Sequence, residues 1–288
     1  MSTDHYSHHV AVLGAGVMGT GIAAMAVGHG VAVSLIDIDG DKLDRARAEI
    51  AGKIRHAGLL GSLPDGRDHG ELTLSDSVRD VAGSTAVIEA ITEEPDLKAK
   101  VLGTASATIR PGTPMISNTS GIPIDELAGS VQRPEDLLGT HFMNPAYLIR
   151  MVEVVRGPRT GEAAMAAARD MLTAMDRTAI VVRDSPGFVT SRLLHPMINT
   201  AARLVGDGVA DAEAVDTLMR GCLGHPTGPL RTADLIGLDN LVDSLEVLHA
   251  RTGDDSCRPC PQLVDLVRAG HLGRKSGRGF YDYRGALS

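Results

Sequence analysis

Two groups of residues in this chain have the types and spacing that chemistry needs. The first is Gly14-Ala15-Gly16-Val17-Met18-Gly19, which follows the apolar run VAVL and leads into an Ala-rich stretch. Glycine at the first position permits a tight turn, at the second lets the backbone approach a pyrophosphate, and at the third allows close packing of helix on strand. A helix starting inside the motif would turn its unpaired N–H groups, at Val17 and Met18 among others, and its positive end toward those phosphates. Asp37 closes the next apolar run. A carboxylate there accepts hydrogen bonds from an adenosine ribose and repels a 2′-phosphate, so the expected ligand is NAD rather than NADP. FAD is the alternative that the glycines alone leave open.

The second group is His141 with Glu153. Taking hydride from an alcohol requires a side chain that accepts the hydroxyl proton, and imidazole, with an unperturbed pKa of about 6.5, suits the task. Of the eleven histidines, those at positions 5, 8, 9, 56 and 69 lie in polar flanks and read as solvated. His141 instead ends one apolar run and opens HFMNP, and the following run carries Glu153 among Met151, Val152, Val154 and Val155. A lone carboxylate in a buried strand is unfavourable unless paired. The imidazole at the neighbouring strand end is its nearest partner, and the pair would orient the ring and stabilise the imidazolium. The competing reading puts Glu153 on a solvent-facing edge strand and His141 in an ordinary loop.

These residues need a scaffold, and the hydrophobic pattern supplies one. Eight short apolar or β-branched runs, at 10–13, 31–36, 72–74, 86–89, 115–117, 137–141, 151–155 and 179–182, read as strands. Ala-rich helical stretches such as 21–28 and 96–109 alternate with them, which predicts a mostly parallel sheet covered by helices. Residues 41–61 read as a helix before the turn Pro64-Asp65-Gly66, an insertion expected to form a helical arm. Past the turn Asp184-Ser185-Pro186-Gly187 the periodicity becomes helical, with amphipathic segments at 192–207, 211–223 and 236–252. The fold class expected is thus α/β: a Rossmann-type domain over 1–184 and a smaller all-helical C-terminal domain over 185–288. A helical domain of that size is small for a lone core, so packing against a second copy, a homodimer, is expected.

Bulk composition narrows the function. The formal net charge is −8 and no long basic run is present, which argues against a nucleic-acid partner. No run approaches a membrane span, and the N-terminal segment is polar, so the expectation is a cytoplasmic protein. Cys222, Cys257 and Cys260 are too few for a secreted disulfide framework, and Cys257-Arg258-Pro259-Cys260 lacks a second ligand pair for zinc, so no metal is expected.

The ordered strings VAVLGAGVMGTGIA, IEAITEEPDLK, SNTSGIPI, GTHFMNPAYLIRMVEVVRG, DSPGFVTSRLLHPMINTA and GRKSGRGFYDY span nearly the whole chain, and together they resemble the 3-hydroxyacyl-CoA dehydrogenase family. The resemblance implies NAD-dependent oxidation of the 3-hydroxyl of a small acyl thioester, with His141 as general base and Glu153 as its partner. It further implies that Ser120 hydrogen-bonds the substrate oxygen and that Glu93, Lys98, Asn118, Asn144 and Lys275 line the cofactor cleft. The family usually has Asn where this chain has Ser191, whose reach is shorter. Residues 221–230 and the segment after them are similar to members acting on carrier-bound glyceryl groups in polyketide pathways. The basic residues Arg268, His271, Arg274, Lys275 and Arg278 could meet an acidic acyl carrier protein in place of CoA. Two other readings stand beside this one: a dehydrogenase of a free hydroxy acid, and an NAD-binding protein without chemistry.

Overall fold

The computed structural model describes residues 8–285, so the N-terminal stretch containing His5 lies outside the described residues. The chain divides into two compact units, the first ending at Ser185 and the second beginning at Pro186.

In the first unit the elements run β1 (His9–Leu13), α1 (Val17–Gly28), β2 (Ala32–Ile36), α2 (Gly40–Leu59), β3 (Leu72–Ser75), β4 (Ala86–Glu89) and α3 (Pro95–Thr108). They continue with β5 (Met115–Ser117), α4 (Ile124–Ala128), β6 (Leu137–Phe142), β7 (Met151–Arg156), α5 (Glu162–Ala174) and β8 (Thr178–Arg183). Each of the eight apolar runs read from the sequence is a strand, and all eight join one sheet in the order β3-β2-β1-β4-β5-β6-β7-β8. The first six stand in the doubly wound order of dinucleotide-binding sheets, with the direction of winding reversing between β1 and β4. Every pairing is parallel except β6 with β7. The link over 143–150 is too short for the crossover that a parallel pair requires, so β7 must run back along β6.

Near-continuous Val, Ile and Leu in β1, β2 and β4 follow from burial on both faces. Helix α1 is buried on every side from Gly19 to Gly28, which is why its sequence shows no polar stripe. The segment expected to stand out as an arm is α2. One of its faces, Leu43, Ala46, Ile50 and Ile54, belongs to the same core as α1, β1 and β2. Its start is capped by Asp39, whose carboxylate accepts the Lys42 N–H at 3.2 Å.

The second unit contains α6 (Thr190–Gly206), α7 (Ala212–Leu223), α8 (Pro229–Ile236), α9 (Leu238–Thr252) and α10 (Pro261–Arg268), with no named strand among its described residues. Ile198, Leu230, Leu238, Leu241, Leu245 and Leu263 form its core. Two buried carboxylates tie α7, α8 and the C-terminal segment together. Asp216 of α7 accepts the Leu230 and Arg231 N–H groups at the start of α8, both at 2.9 Å, and the Tyr281 hydroxyl at 2.8 Å. Asp234 of α8 accepts the N–H groups of Phe280 and Tyr281 and the Tyr283 hydroxyl, each at 3.0 Å. Cys257 and Cys260 are buried thiols, unbridged, and burial raises the pKa of both. The CxxC spacing is a packing feature of this core.

Candidate active site

The site lies along the carboxyl ends of the strands in the first unit, where an open α/β sheet places its ligands. Gly14 leaves β1 with φ +106°, and a Cβ there would stand 2.6 Å from the Ala90 carbonyl at the end of β4. A Cβ on Gly19 would collide with the Gly14 carbonyl, so the turn approaches β4 only because residue 14 is glycine and the helix approaches the turn only because residue 19 is. A Cβ on Gly16 would meet no atom within 4 Å, which leaves room for a pyrophosphate over that position. Val17 and Met18 open α1 directly above the turn, and Val17 is 66% exposed.

Asp37 caps the second strand and holds the glycine turn from the side. Its Oδ2 accepts the Ala15 N–H at 2.7 Å and its Oδ1 accepts the Asp39 N–H at 3.0 Å. Each carboxylate oxygen keeps a further lone pair for a ribose hydroxyl. Open space over Gly16, a helix N-terminus behind it and a half-buried carboxylate beside it together fit an NAD.

At the ends of β4 and β5 the side chains knit two loops. Glu93 is exposed, and its Oε1 accepts the Thr119 hydroxyl, the Ser120 N–H at 2.8 Å and the Gly121 N–H at 3.2 Å. Asn118 accepts the Phe142 N–H through Oδ1 at 3.0 Å and so ties the β5 loop to β6, one residue past His141. Ser120 is exposed on this loop. Lys98 lies wholly inside the protein, its Nζ 2.6 Å from Glu89 Oε1 and 3.1 Å from Glu93 Oε2.

His141 and Glu153 stand directly opposite each other in the antiparallel β6–β7 register. The His141 Nδ1 is 3.2 Å from Glu153 Oε2, and both residues are buried, at 8% and 7% exposure. A carboxylate only accepts, so Nδ1 carries the hydrogen and the ring is fixed in the tautomer with its lone pair on Nε2. Asn144 is exposed in the turn that follows, ahead of a cis Asn144–Pro145 bond.

The first unit therefore brings Gly14, Gly16, Gly19, Asp37, Glu93, Lys98, Asn118, Ser120, His141, Asn144 and Glu153 to one edge of one sheet. Ser191 and Lys275 belong to the second unit. Ser191 is buried in the first turn of α6, and Lys275 pairs with Asp239 at 2.6 Å. The sequence reading passed over Glu89, Ser117 and Thr119, which hold the site loops. The signal available for Glu89 was an acid ending the apolar run AVIE, nine positions before a lysine.

A family model for the 3-hydroxyacyl-CoA dehydrogenase NAD binding domain matches residues 9–185, and one for the C-terminal domain of the same enzymes matches residues 187–283. The chain belongs to the 3-hydroxyacyl-CoA dehydrogenase family. It is an NAD-dependent oxidoreductase acting on CH–OH groups. It is 39% identical to a probable 3-hydroxybutyryl-CoA dehydrogenase of Bacillus subtilis (strain 168), over 95% of this chain and 96% of that protein. Among solved structures it is similar to Mycobacterium tuberculosis FadB2, with a TM-score of 0.89 and 34% identity over 95% of this chain and 98% of that one. It is likewise similar to the (S)-3-hydroxybutyryl-CoA dehydrogenase PaaH1 of Ralstonia eutropha, with a TM-score of 0.86 and 36% identity over 96% of this chain and 99% of that one. Among the described residues no helix is long and apolar enough to cross a membrane.

Proposed function

We propose that this dehydrogenase oxidises the 3-hydroxyl of a small 3-hydroxyacyl-CoA to the 3-oxo thioester, with His141 as the general base. The observation that carries the reading is the 3.2 Å contact between His141 Nδ1 and Glu153 Oε2 inside a buried strand pair. Glu153 holds the ring so that Nε2 takes the hydroxyl proton, and its carboxylate stabilises the imidazolium that results. NAD, when bound, supplies the nicotinamide ring that accepts the hydride. The carbinol carbon loses that hydride as its oxygen loses the proton, and the carbonyl forms. Ser120 donates a hydrogen bond to the substrate oxygen, where it offsets charge that develops in the transition state. Asp37 receives the adenosine ribose, and Glu93, Asn118 and Asn144 line the nicotinamide side.

The test is NADH formation, followed by absorbance, with NAD and 3-hydroxybutyryl-CoA. Turnover is expected; none on any short 3-hydroxyacyl thioester would overturn the substrate class. His141→Ala is expected to lower kcat by about 10² to 10⁴ with NADH affinity retained.

Ser191 favours a second reading in which the acyl group is shorter and more polar, such as a glyceryl group on an acyl carrier protein. Arg268, Arg274 and Arg278 would meet the carrier, whereas Lys275 is already engaged by Asp239. A kcat/KM greater on the carrier-bound substrate than on the CoA thioester decides for it.

The second unit also supports a homodimer. Leu193 of α6 and Leu218 and Leu223 of α7 are 70%, 59% and 66% exposed, an apolar content on helix surfaces that association would bury.

A further inference from the structure

Glu89 has no place in the chemistry above, yet it is a fully buried carboxylate at the point where the sheet changes its direction of winding. It ends β4, opposite Leu13 of β1 on one side and Ser117 of β5 on the other. Its Oε1 accepts the Lys98 ammonium at 2.6 Å and the Ile91 N–H at 2.8 Å, and its Oε2 accepts the Ser117 hydroxyl at 2.6 Å. Its backbone carbonyl accepts the Asn118 N–H at 2.7 Å. Carboxylate and carbonyl together therefore hold both loops that leave the sheet edge here.

Lys98 carries the hold outward. With no exposed surface and its Nζ engaged by Glu89, Glu93 and the Ile91 carbonyl, it acts on the cleft only through Glu93. Glu93 in turn gathers the hydroxyl of Thr119 and the N–H groups of Ser120 and Gly121. Asn118 passes the constraint to Phe142, beside His141.

A buried ion pair is a poor source of net stability, because desolvation offsets its attraction. Three charged groups spent between two loops make sense if they hold a geometry. We propose that Glu89 is a positioning residue. Through Lys98 and Ser117 it sets the loops that present Glu93, Asn118 and Ser120, and so the shape of the cofactor cleft. The inference rests on the reading of those three as site residues.

A double-mutant cycle on the full chain separates positioning from mere burial of charge. Glu89→Gln leaves Lys98 with Glu93 as its remaining carboxylate, and Lys98→Met leaves Glu89 and Glu93 facing each other uncompensated. The pair Glu89→Gln with Lys98→Met removes one charge of each sign. NADH affinity, read from the fluorescence of the nucleotide, is the primary measurement, with the melting temperature beside it. Both single variants are expected to melt lower and bind NADH about tenfold more weakly, the scale of one lost charge-assisted hydrogen bond. The double variant is expected to regain melting temperature while NADH binding stays weak, because neither the Lys98 ammonium nor the Glu89 carboxylate is there to hold the two loops. Recovery of NADH affinity along with stability, or wild-type affinity in either single variant, overturns the proposal.

If the single variants do not fold, Ser117→Ala decides, since it removes only the hydroxyl that Glu89 Oε2 accepts. A loss of NADH affinity of about threefold is expected, and an unchanged affinity overturns the assignment. Nucleotide binding needs no substrate. A chain that binds NADH but turns over no hydroxyacyl thioester would refute the substrate reading and leave this test intact.

Discussion

His141 shows how little a residue does alone and how much its neighbour decides. An imidazole without such a neighbour rotates and exchanges tautomers, whereas one held across a strand pair by Glu153 keeps Nδ1 as the donor and the lone pair on Nε2, as the proposed base requires. Glu153→Gln keeps the volume and an acceptor oxygen but loses the charge that stabilises the imidazolium. The expected result is a kcat about 10²-fold lower with NADH affinity unchanged, measured by steady-state absorbance and nucleotide titration. Asp37 has two duties on the proposed reading, since the carboxylate assigned to the ribose also holds the Ala15 N–H of the glycine turn. Asp37→Ala is therefore expected to weaken NADH binding by more than tenfold, because the turn loosens together with the contact. Equal affinity in that variant would remove the residue from the site.

Among the elements, α1 combines an N-terminus proposed to face the phosphates with a buried C-terminal end. His29 stands at that end, 2% exposed, with Nδ1 donating to the Met25 carbonyl at 2.8 Å. Its Nε2 is buried and has no hydrogen-bond partner among the described residues. Burial, with the nearby Arg177 and Arg67 adding to it, holds the His29 pKa below its ordinary value of 6.5. The unfolded chain therefore binds a proton here that the folded chain resists. The stability that the neutral ring contributes is complete above pH 6.5 and is lost as pH falls from there through the depressed folded value. Replacing His29 by Phe removes this term. The variant is expected to lose less melting temperature than the natural chain between pH 7.5 and about 5.5. Parallel curves in a thermal-unfolding series would rule His29 out as the source.

At the level of the whole molecule, each unit has its own core, and the second is closed by its C-terminal segment. The loops of Gly228 and Gly279 run so near the carboxylates of Asp216 and Asp234 that a Cβ on either glycine would collide with them. Gly279→Ala is expected to destabilise by about 1 to 3 kcal/mol, the usual range for overpacking, and to lower the melting temperature accordingly. Gly285→Ala, with open space at its Cβ, serves as the control. If association buries the exposed leucines, Leu218→Glu with Leu223→Glu is expected to convert dimer to monomer in sedimentation velocity. A natural chain that already sediments as a monomer would end the dimer proposal.

Much of this was legible in the linear chain, because the signals concerned are local. Alternating apolar runs and Ala-rich helices dictate a covered parallel sheet, and glycines before a helix followed by an acid at the next strand end dictate a nucleotide turn. These depend on periodicity and backbone conformation, which neighbouring residues decide among themselves. The hold of buried Glu89 and Lys98 on Glu93, the duty of Asp37 toward Ala15 and the tie from Asn118 to Phe142 left no comparable trace. The last two, like the bond from Ser117 to Glu89, join residues from separate strands, and nothing short of the sheet order and its register brings those carboxylates, hydroxyls and N–H groups within hydrogen-bonding distance.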